Sequence, residues 1–216
     1  MKTIHSGTRR AALILAAAFL LSALVFSGAP AYIPMTGDIV FQTSRSSQSA
    51  LIQAATGSAL THCGLVIVED GKAFVCEAVG PVRMTPLSEW IEDGEGGRYE
   101  AKRMKDASRA LTPEAKKKLA AAARRFLGKP YDARFEWSDD RIYCSELVWK
   151  ACDRGLSIKL CPLKKMRDFK LSDKAVRKEL ERRFGGRIPL DEPVVAPVDI
   201  DRSPLLVTVF DKTRGK

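Results

Sequence analysis

The sequence predicts one α+β domain in which a sheet with antiparallel pairing packs against helices. Three observations carry that class. Two β-branched runs flank Asp70-Gly71 in "THCGLVIVEDGKAFVCEAV", the pattern of a tight antiparallel hairpin. "LTPEAKKKLAAAARRFLGKP" is a punctuated helix, with Thr112 as cap, Pro113 in its first turn, Gly128 past its end and Pro130 beyond. No internal repeat and no long linker divides the chain.

Taken in order, the chain opens with a segment set apart from that domain. Lys2, Arg9 and Arg10 form a basic region, and Ala11 to Phe26 is an apolar run broken only by Ser22. Ala29-Pro30-Ala31 then has the small-residue pattern of a cleavage site. Residues 1–31 read as a secretory signal peptide cut after Ala31, which leaves 32–216 as an exported domain, periplasmic or extracellular. An uncleaved anchor is the alternative, but the run is short for a span of about 20 residues. The 185 residues that remain are enough to bury a core.

Within the domain, 38–41 (DIVF) is a short strand. The polar stretch Ser44 to Ser49 is suited to cap a helix over Gln48–Ala55 that stops near Gly57. A phosphate-binding role is disfavoured there, because no glycine-rich loop accompanies the serines. The hairpin and the Thr112 helix follow. A further amphipathic helix starts at about Cys144, with Leu147, Val148 and Ala151 on one face. A charged helix spans Ser172 to Arg183 and ends at Gly185-Gly186, and "LLVTVF" (205–210) is a final strand.

Loss of the leader lowers the formal charge from +10 to +7. Basic residues are spread over 102–125 and 164–187, chiefly on helix faces, as on a solvated surface. An exported basic protein meets anionic wall polymers and phospholipid head groups rather than nucleic acid.

The leader also takes His5 with it, so His62 is the one histidine left for chemistry. A two-residue loop at 70–71 sets His62 opposite Val79 and makes Glu77 its diagonal neighbour on the same face of the ribbon. Cys63 and Cys76 fall on the other face with Leu65, Ile67, Phe74 and Ala78, as core residues. Being diagonal rather than opposed, they are poorly placed for a disulfide. Cys144 is the candidate nucleophile: a thiol at a helix N-terminus is biased toward thiolate by the macrodipole, and an imidazole beside it lowers its pKa further. Glu77 would hold that imidazole in one tautomer. The backbone N–H of Cys144 is a natural oxyanion donor. Tyr131 and Tyr143 flank the site in sequence, and either hydroxyl could serve the oxyanion or substrate carbonyl; both also fit as packed aromatics. The acidic Ser138-Asp139-Asp140 either shapes the approach to Cys144 or solvates a loop. No metal is expected, with one histidine and no C-x-x-C pair, and no cofactor. A serine hydrolase is disfavoured by the absence of a G-x-S-x-G elbow. The residues alone leave open a cysteine hydrolase and a domain in which Cys144 and His62 are merely packed.

"GDIVFQTSRSSQS", "THCGLVIVEDGKAFVCEAVGPV", "TPLSEW" and "KPYDARFEWSDDRIYCSELVWKA" together resemble the YiiX/YaeF-type permuted papain-like amidase family, relatives of the NlpC-type cell-wall peptidases. The likeness spans roughly Gly37 to Ala151 and weakens beyond Cys152. It implies a circularly permuted papain-like fold with histidine before cysteine along the chain, as His62 precedes Cys144. It also implies a Cys–His–polar-residue site, which falls on Cys144, His62 and Glu77. A cysteine following the histidine, as Cys63 does, is not among the features that make the likeness, and Cys63 reads as a small core residue. The expected activity is hydrolysis of an amide bond, in a peptide, peptidoglycan stem or related amide, through an acyl-enzyme thioester on Cys144 with His62 as base. The relation to lecithin:retinol acyltransferase-like enzymes leaves a lipid acyl hydrolase or acyltransferase as the alternative. A catalytically silent wall- or lipid-binding module is the third class, and the intact Cys, His and Glu disfavour it. Export permits a Cys152–Cys161 bridge, which would contribute about 2–3 kcal/mol; two separately packed thiols are the alternative.

Overall fold

The computed structural model describes residues 32–213, and the expected leader lies outside the described residues. In chain order the elements are β1 (Ile39–Gln42), α1 (Ser49–Thr56), β2 (His62–Glu69), β3 (Lys72–Glu77), β4 (Arg83–Pro86), α2 (Leu87–Asp93), β5 (Glu100–Met104), α3 (Ala107–Ala110), α4 (Pro113–Arg124), α5 (Cys144–Leu156), β6 (Lys164–Lys165), α6 (Lys174–Arg183), β7 (Pro193–Val194), α7 (Pro197–Asp201) and β8 (Leu206–Asp211). Six strands form an antiparallel sheet of order β4-β3-β2-β1-β5-β8, and β6 pairs with β7 apart from it.

The hairpin forms as its turn chemistry demands. Asp70 and Gly71 both take positive φ (48° and 74°), the type I′ requirement, and the ladder runs from Glu69↔Lys72 to Leu65↔Cys76. Strand alternation then sorts the sheet into two faces. Ile39, Phe41, Cys63, Leu65, Ile67 and Cys76 join the larger core with α4 and α5 residues such as Leu119, Ala123, Leu147, Val148 and Ala151. Val40, Val66, Val75 and Ala101 face the other way, into a smaller cluster with Trp90 of α2 and Tyr99. None of the described helices is long and apolar enough to cross a membrane.

Local signals hold in part. Thr112 caps α4 through Ala115 N–H, and Asp173 caps α6 through Ala175 and Val176. α4 ends at Arg124, earlier than its sequence punctuation implies; a run of turns then reaches Gly128 (φ 80°), whose N–H bonds Val82 O at 2.9 Å. The expected serine cap of α1 is not made. Gln48 is the cap residue and contributes no side-chain bond, and the serine hydroxyls are engaged elsewhere: Ser44 and Ser46 bond each other (2.8 Å), and Ser49 Oγ bonds Thr61 Oγ1 (2.8 Å), which also accepts Ser44 N–H (2.9 Å). That ties α1 to the start of β2. All five cysteines are free, so the Cys152–Cys161 bridge is absent; Cys152 is sealed in the core while Cys161 sits half-buried near its edge.

Candidate active site

His62 is the first residue of β2 and Cys144 the first residue of α5. Their positions at the ends of their elements matter. His62 shares its sheet face with Glu77 and Trp90, whereas α5 packs on the other face, and only at the rim of the sheet can the two side chains meet. They do meet there, and Cys144 is among the neighbours that raise the His62 pKa.

The second ring nitrogen is equally engaged. His62 Nε2 and Glu77 Oε2 are 2.7 Å apart, with both residues buried. That contact leaves Nδ1 as the nitrogen facing sulfur. The Glu77 carboxylate is itself held from β4, accepting from Thr85 Oγ1 at 2.6 Å and Arg83 Nε at 3.2 Å. The Trp90 ring closes the far side, its centroid 5.9 Å from that of His62.

These contacts set the charges. Burial opposes the imidazolium, yet hydrogen bonds to Cys144 and Glu77 outweigh it and push the His62 pKa up to about 9. Glu77 is held below the usual carboxylate value despite burial, because His62, Thr85 and Arg83 favour its ionised form. The Cys144 thiol is held well below its usual range, first by a hydrogen bond from Cys63 and then, against burial, by His62. Both shifts run in the direction that favours a thiolate beside an imidazolium.

Cys144 is only 4% exposed, and it opens onto a narrow apolar cleft with a cavity volume of about 70 Å³, whose walls include Leu51, Ile52, Phe135, Val176 and Val195. Tyr131 and Tyr143 both line this cleft. The Tyr143 oxygen accepts Val195 N–H at 3.2 Å, which with the Ser145 Oγ bond to Val195 O (2.8 Å) pins the 194–197 loop to the start of α5. Among the described residues Tyr131 has no such side-chain bond, and burial beside Cys144 keeps its phenol protonated. As the first residue of α5, Cys144 carries a backbone N–H with no intrahelical acceptor.

The acidic loop does not line the cleft. Asp139 bonds Arg154 at 2.7 and 2.8 Å and Lys150 at 2.9 Å, and buried Lys150 reaches Glu146 at 2.7 Å, so the loop is stapled to the flank of α5. Thr85, Arg83 and Trp90 were invisible to hairpin geometry because they come from β4 and α2. The contact between Cys63 and Cys144 was equally hidden, since strand parity sends Cys63 to the core without saying what docks on it.

A family model for permuted papain-like amidases, the YaeF/YiiX type of the C92 family, matches residues 34–210. The chain is 47% identical over 190 residues to the uncharacterized protein YiiX of Escherichia coli (strain K12), covering 88% of this chain and 93% of that one. It also resembles the crystal structure of YiiX from Escherichia coli O157:H7, described as a metalloprotein, with a TM-score of 0.79 and 47% identity over 83% of this chain and 98% of that one. Among the described residues here, no group of three or more His, Cys, Asp or Glu side chains is arranged to hold a metal ion.

Proposed function

The chain belongs to the permuted papain-like amidase family, and from that premise we propose that it is an exported cysteine amidase with Cys144 as nucleophile, His62 as base and Glu77 as the group that orients the imidazole. One observation carries the assignment: His62, hydrogen-bonded to buried Glu77, meets Cys144 at a helix start that opens on a cleft.

The steps follow from those contacts. The Cys144 thiolate attacks the carbonyl carbon of an amide seated in the cleft. Charge developing on the oxygen is met by the Cys144 N–H and the Tyr131 phenol, the tyrosine with an uncommitted hydroxyl. His62 Nδ1–H then passes its proton to the leaving amine, and the C–N bond breaks to leave a thioester. Water enters, neutral His62 takes its proton, and the hydroxyl adds to the thioester carbon. Collapse expels the Cys144 thiolate and releases the acid, with the imidazolium restored. Glu77 stays ionised throughout and stabilises the imidazolium.

The cleft favours a second reading of the acyl group. Its wall beside Cys144 is almost wholly aliphatic and aromatic, which suits the acyl chain of a lipid ester or amide as well as an apolar side chain of a peptide. Exposure of the purified protein to peptidoglycan fragments and, separately, to phospholipids, followed by mass spectrometry, distinguishes them. The mass added to Cys144 identifies the acyl group, and turnover retained by Cys144→Ala would remove the mechanism altogether. Export is tested by N-terminal sequencing from the producing cell: Tyr32 is expected as the first residue, and Met1 in the membrane fraction would replace export with anchoring.

A further inference from the structure

Glu77 stands in the middle of a row of side chains that crosses three strands. On one side, His62 Nε2 of β2 lies 2.7 Å from Glu77 Oε2. On the other, the β3–β4 ladder pairs Glu77 with Arg83 and Val75 with Thr85, which puts Thr85 diagonally beside Glu77 on the same face. The two donors to Oε1 differ in kind. Arg83 Nε lies 3.2 Å away on a side chain that is 52% exposed and that also reaches Asp93 at 3.7 Å. Thr85 Oγ1 lies 2.6 Å away and is buried, and among the described residues its hydroxyl bonds Glu77 alone.

Building on Cys144 and His62 as the reacting pair, we propose that Thr85 is a positioning residue of this site, whose buried hydroxyl locks the Glu77 carboxylate so that its other oxygen stays on His62. The last torsion of a glutamate is soft, so a carboxylate held through one oxygen swings. Thr85 supplies the second hold, and branching at Cβ leaves its own side chain few rotamers. A long, half-exposed arginine does not fix a direction in this way. The residue type bears the same mark. Thr85 stands opposite Val75 on the face that carries Trp90, where valine would have the same shape and no hydroxyl to desolvate. The bond to Glu77 is what compensates the hydroxyl there. β4 then runs directly into α2, whose Trp90 ring lies 5.9 Å from that of His62, so residues 83–90 hold the imidazole through both its carboxylate and its face. Thr85 thus acts on the sulfur only through Glu77 and His62.

The test needs no substrate. Alkylation of Cys144 by iodoacetamide at neutral pH is measured by peptide mass mapping in the full-length wild type, Thr85→Val, Thr85→Ser and Arg83→Ala. The Nε2–H proton of His62 is followed by NMR in the same proteins after isotope labelling of histidine, with His62→Gln to tell it from His5. Thr85→Val should slow the alkylation roughly tenfold, the worth of one hydrogen bond to a charged group, and broaden the Nε2–H signal as the carboxylate swings away. Thr85→Ser keeps the donor and should stay near the wild type, as should Arg83→Ala. If Thr85 only fills space, Thr85→Val moves the urea midpoint while the rate and the signal stay put, and the proposal is overturned. Should Thr85→Val not fold, Arg83→Ala decides. A wild-type rate there leaves Thr85 as the hold on Glu77, and a tenfold loss makes Arg83 the hold and overturns the proposal. A wild-type Cys144 that reacts no faster than Cys152 or Cys161 would instead overturn the nucleophile assignment beneath it.

Discussion

Replacing Glu77 by glutamine removes one charge from a closed hydrogen-bond set and leaves its shape almost intact. The carboxylate takes three donors, His62 at 2.7 Å, Thr85 at 2.6 Å and Arg83 at 3.2 Å, and a glutamine offers one acceptor oxygen and an NH₂ in its place. Thr85 can turn its hydroxyl to accept. The Arg83 side chain, 52% exposed, can swing into solvent, so the amide oxygen stays on His62. An ionic hydrogen bond then becomes a neutral one, a loss of about 1–1.5 kcal/mol. That is roughly tenfold in kcat/KM and about one unit in the His62 pKa. The sign follows from the raised value: His62 is protonated below about 9 and loses its charge as pH rises through it. The upper limb of the pH–rate profile should therefore lie near pH 9 in the wild type and about one unit lower in Glu77→Gln. The assay is the pH dependence of kcat/KM on any amide or ester that the enzyme turns over. An unmoved upper limb would refute the orienting role, and a loss as deep as that of His62→Ala would mean that Glu77 reacts rather than orients.

Three further outcomes are expected. Cys144→Ala and Cys144→Ser should abolish turnover and His62→Ala should come close to doing so, measured on the same substrate. Among the five thiols Cys144 should alkylate fastest near neutral pH in peptide mapping, whereas burial holds Cys76, Cys152 and Cys161 up at about 12; preferential labelling of Cys63 or Cys76 would contradict the facing of the hairpin. Gly64→Ala would place a methyl group 2.2 Å from Val75 Cγ1 and 3.1 Å from Cys76 O, prising β2 from β3 beside the His62–Glu77 contact. It should cost about 2 kcal/mol or more in urea unfolding, and an unchanged midpoint would show that the ladder accommodates it.

The core of the site was legible because it depends on local rules. An Asp-Gly turn fixes the hairpin register, register fixes parity, and parity alone places Glu77 beside His62. The helix start at Cys144 was readable from its amphipathic pattern. The supporting parts were not. β4 contains Pro86 and pairs through only four residues, and β5 (EAKRM) is charged at three of its five positions without an apolar run to mark it. Both strands exist because a neighbouring strand supplies hydrogen-bond partners, not because their own residues demand extension. The missing serine cap of α1 has a similar origin: Thr61, twelve positions after Ser49, takes the Ser49 hydroxyl once the sheet has formed. Docking of α5 on the Cys63 face is likewise a tertiary fact, and no spacing along the chain encodes it.

His62 and Cys144 stand 82 positions apart, and the imidazole that pairs with the sulfur lies on the far side of that interval. A chain in which the hairpin has closed and α5 has coiled, but the two have not met, carries an ordinary cysteine, only a few per cent ionised at neutral pH. Chemical competence thus arrives with the last long-range contact rather than with secondary structure. A nascent or partly unfolded copy reacts with acyl donors and electrophiles only at the rate of an ordinary thiol. The onset of fast alkylation at Cys144 becomes a clock for completion of folding, and during unfolding the chemistry is lost at the moment the rim of the sheet lets go, before either element melts.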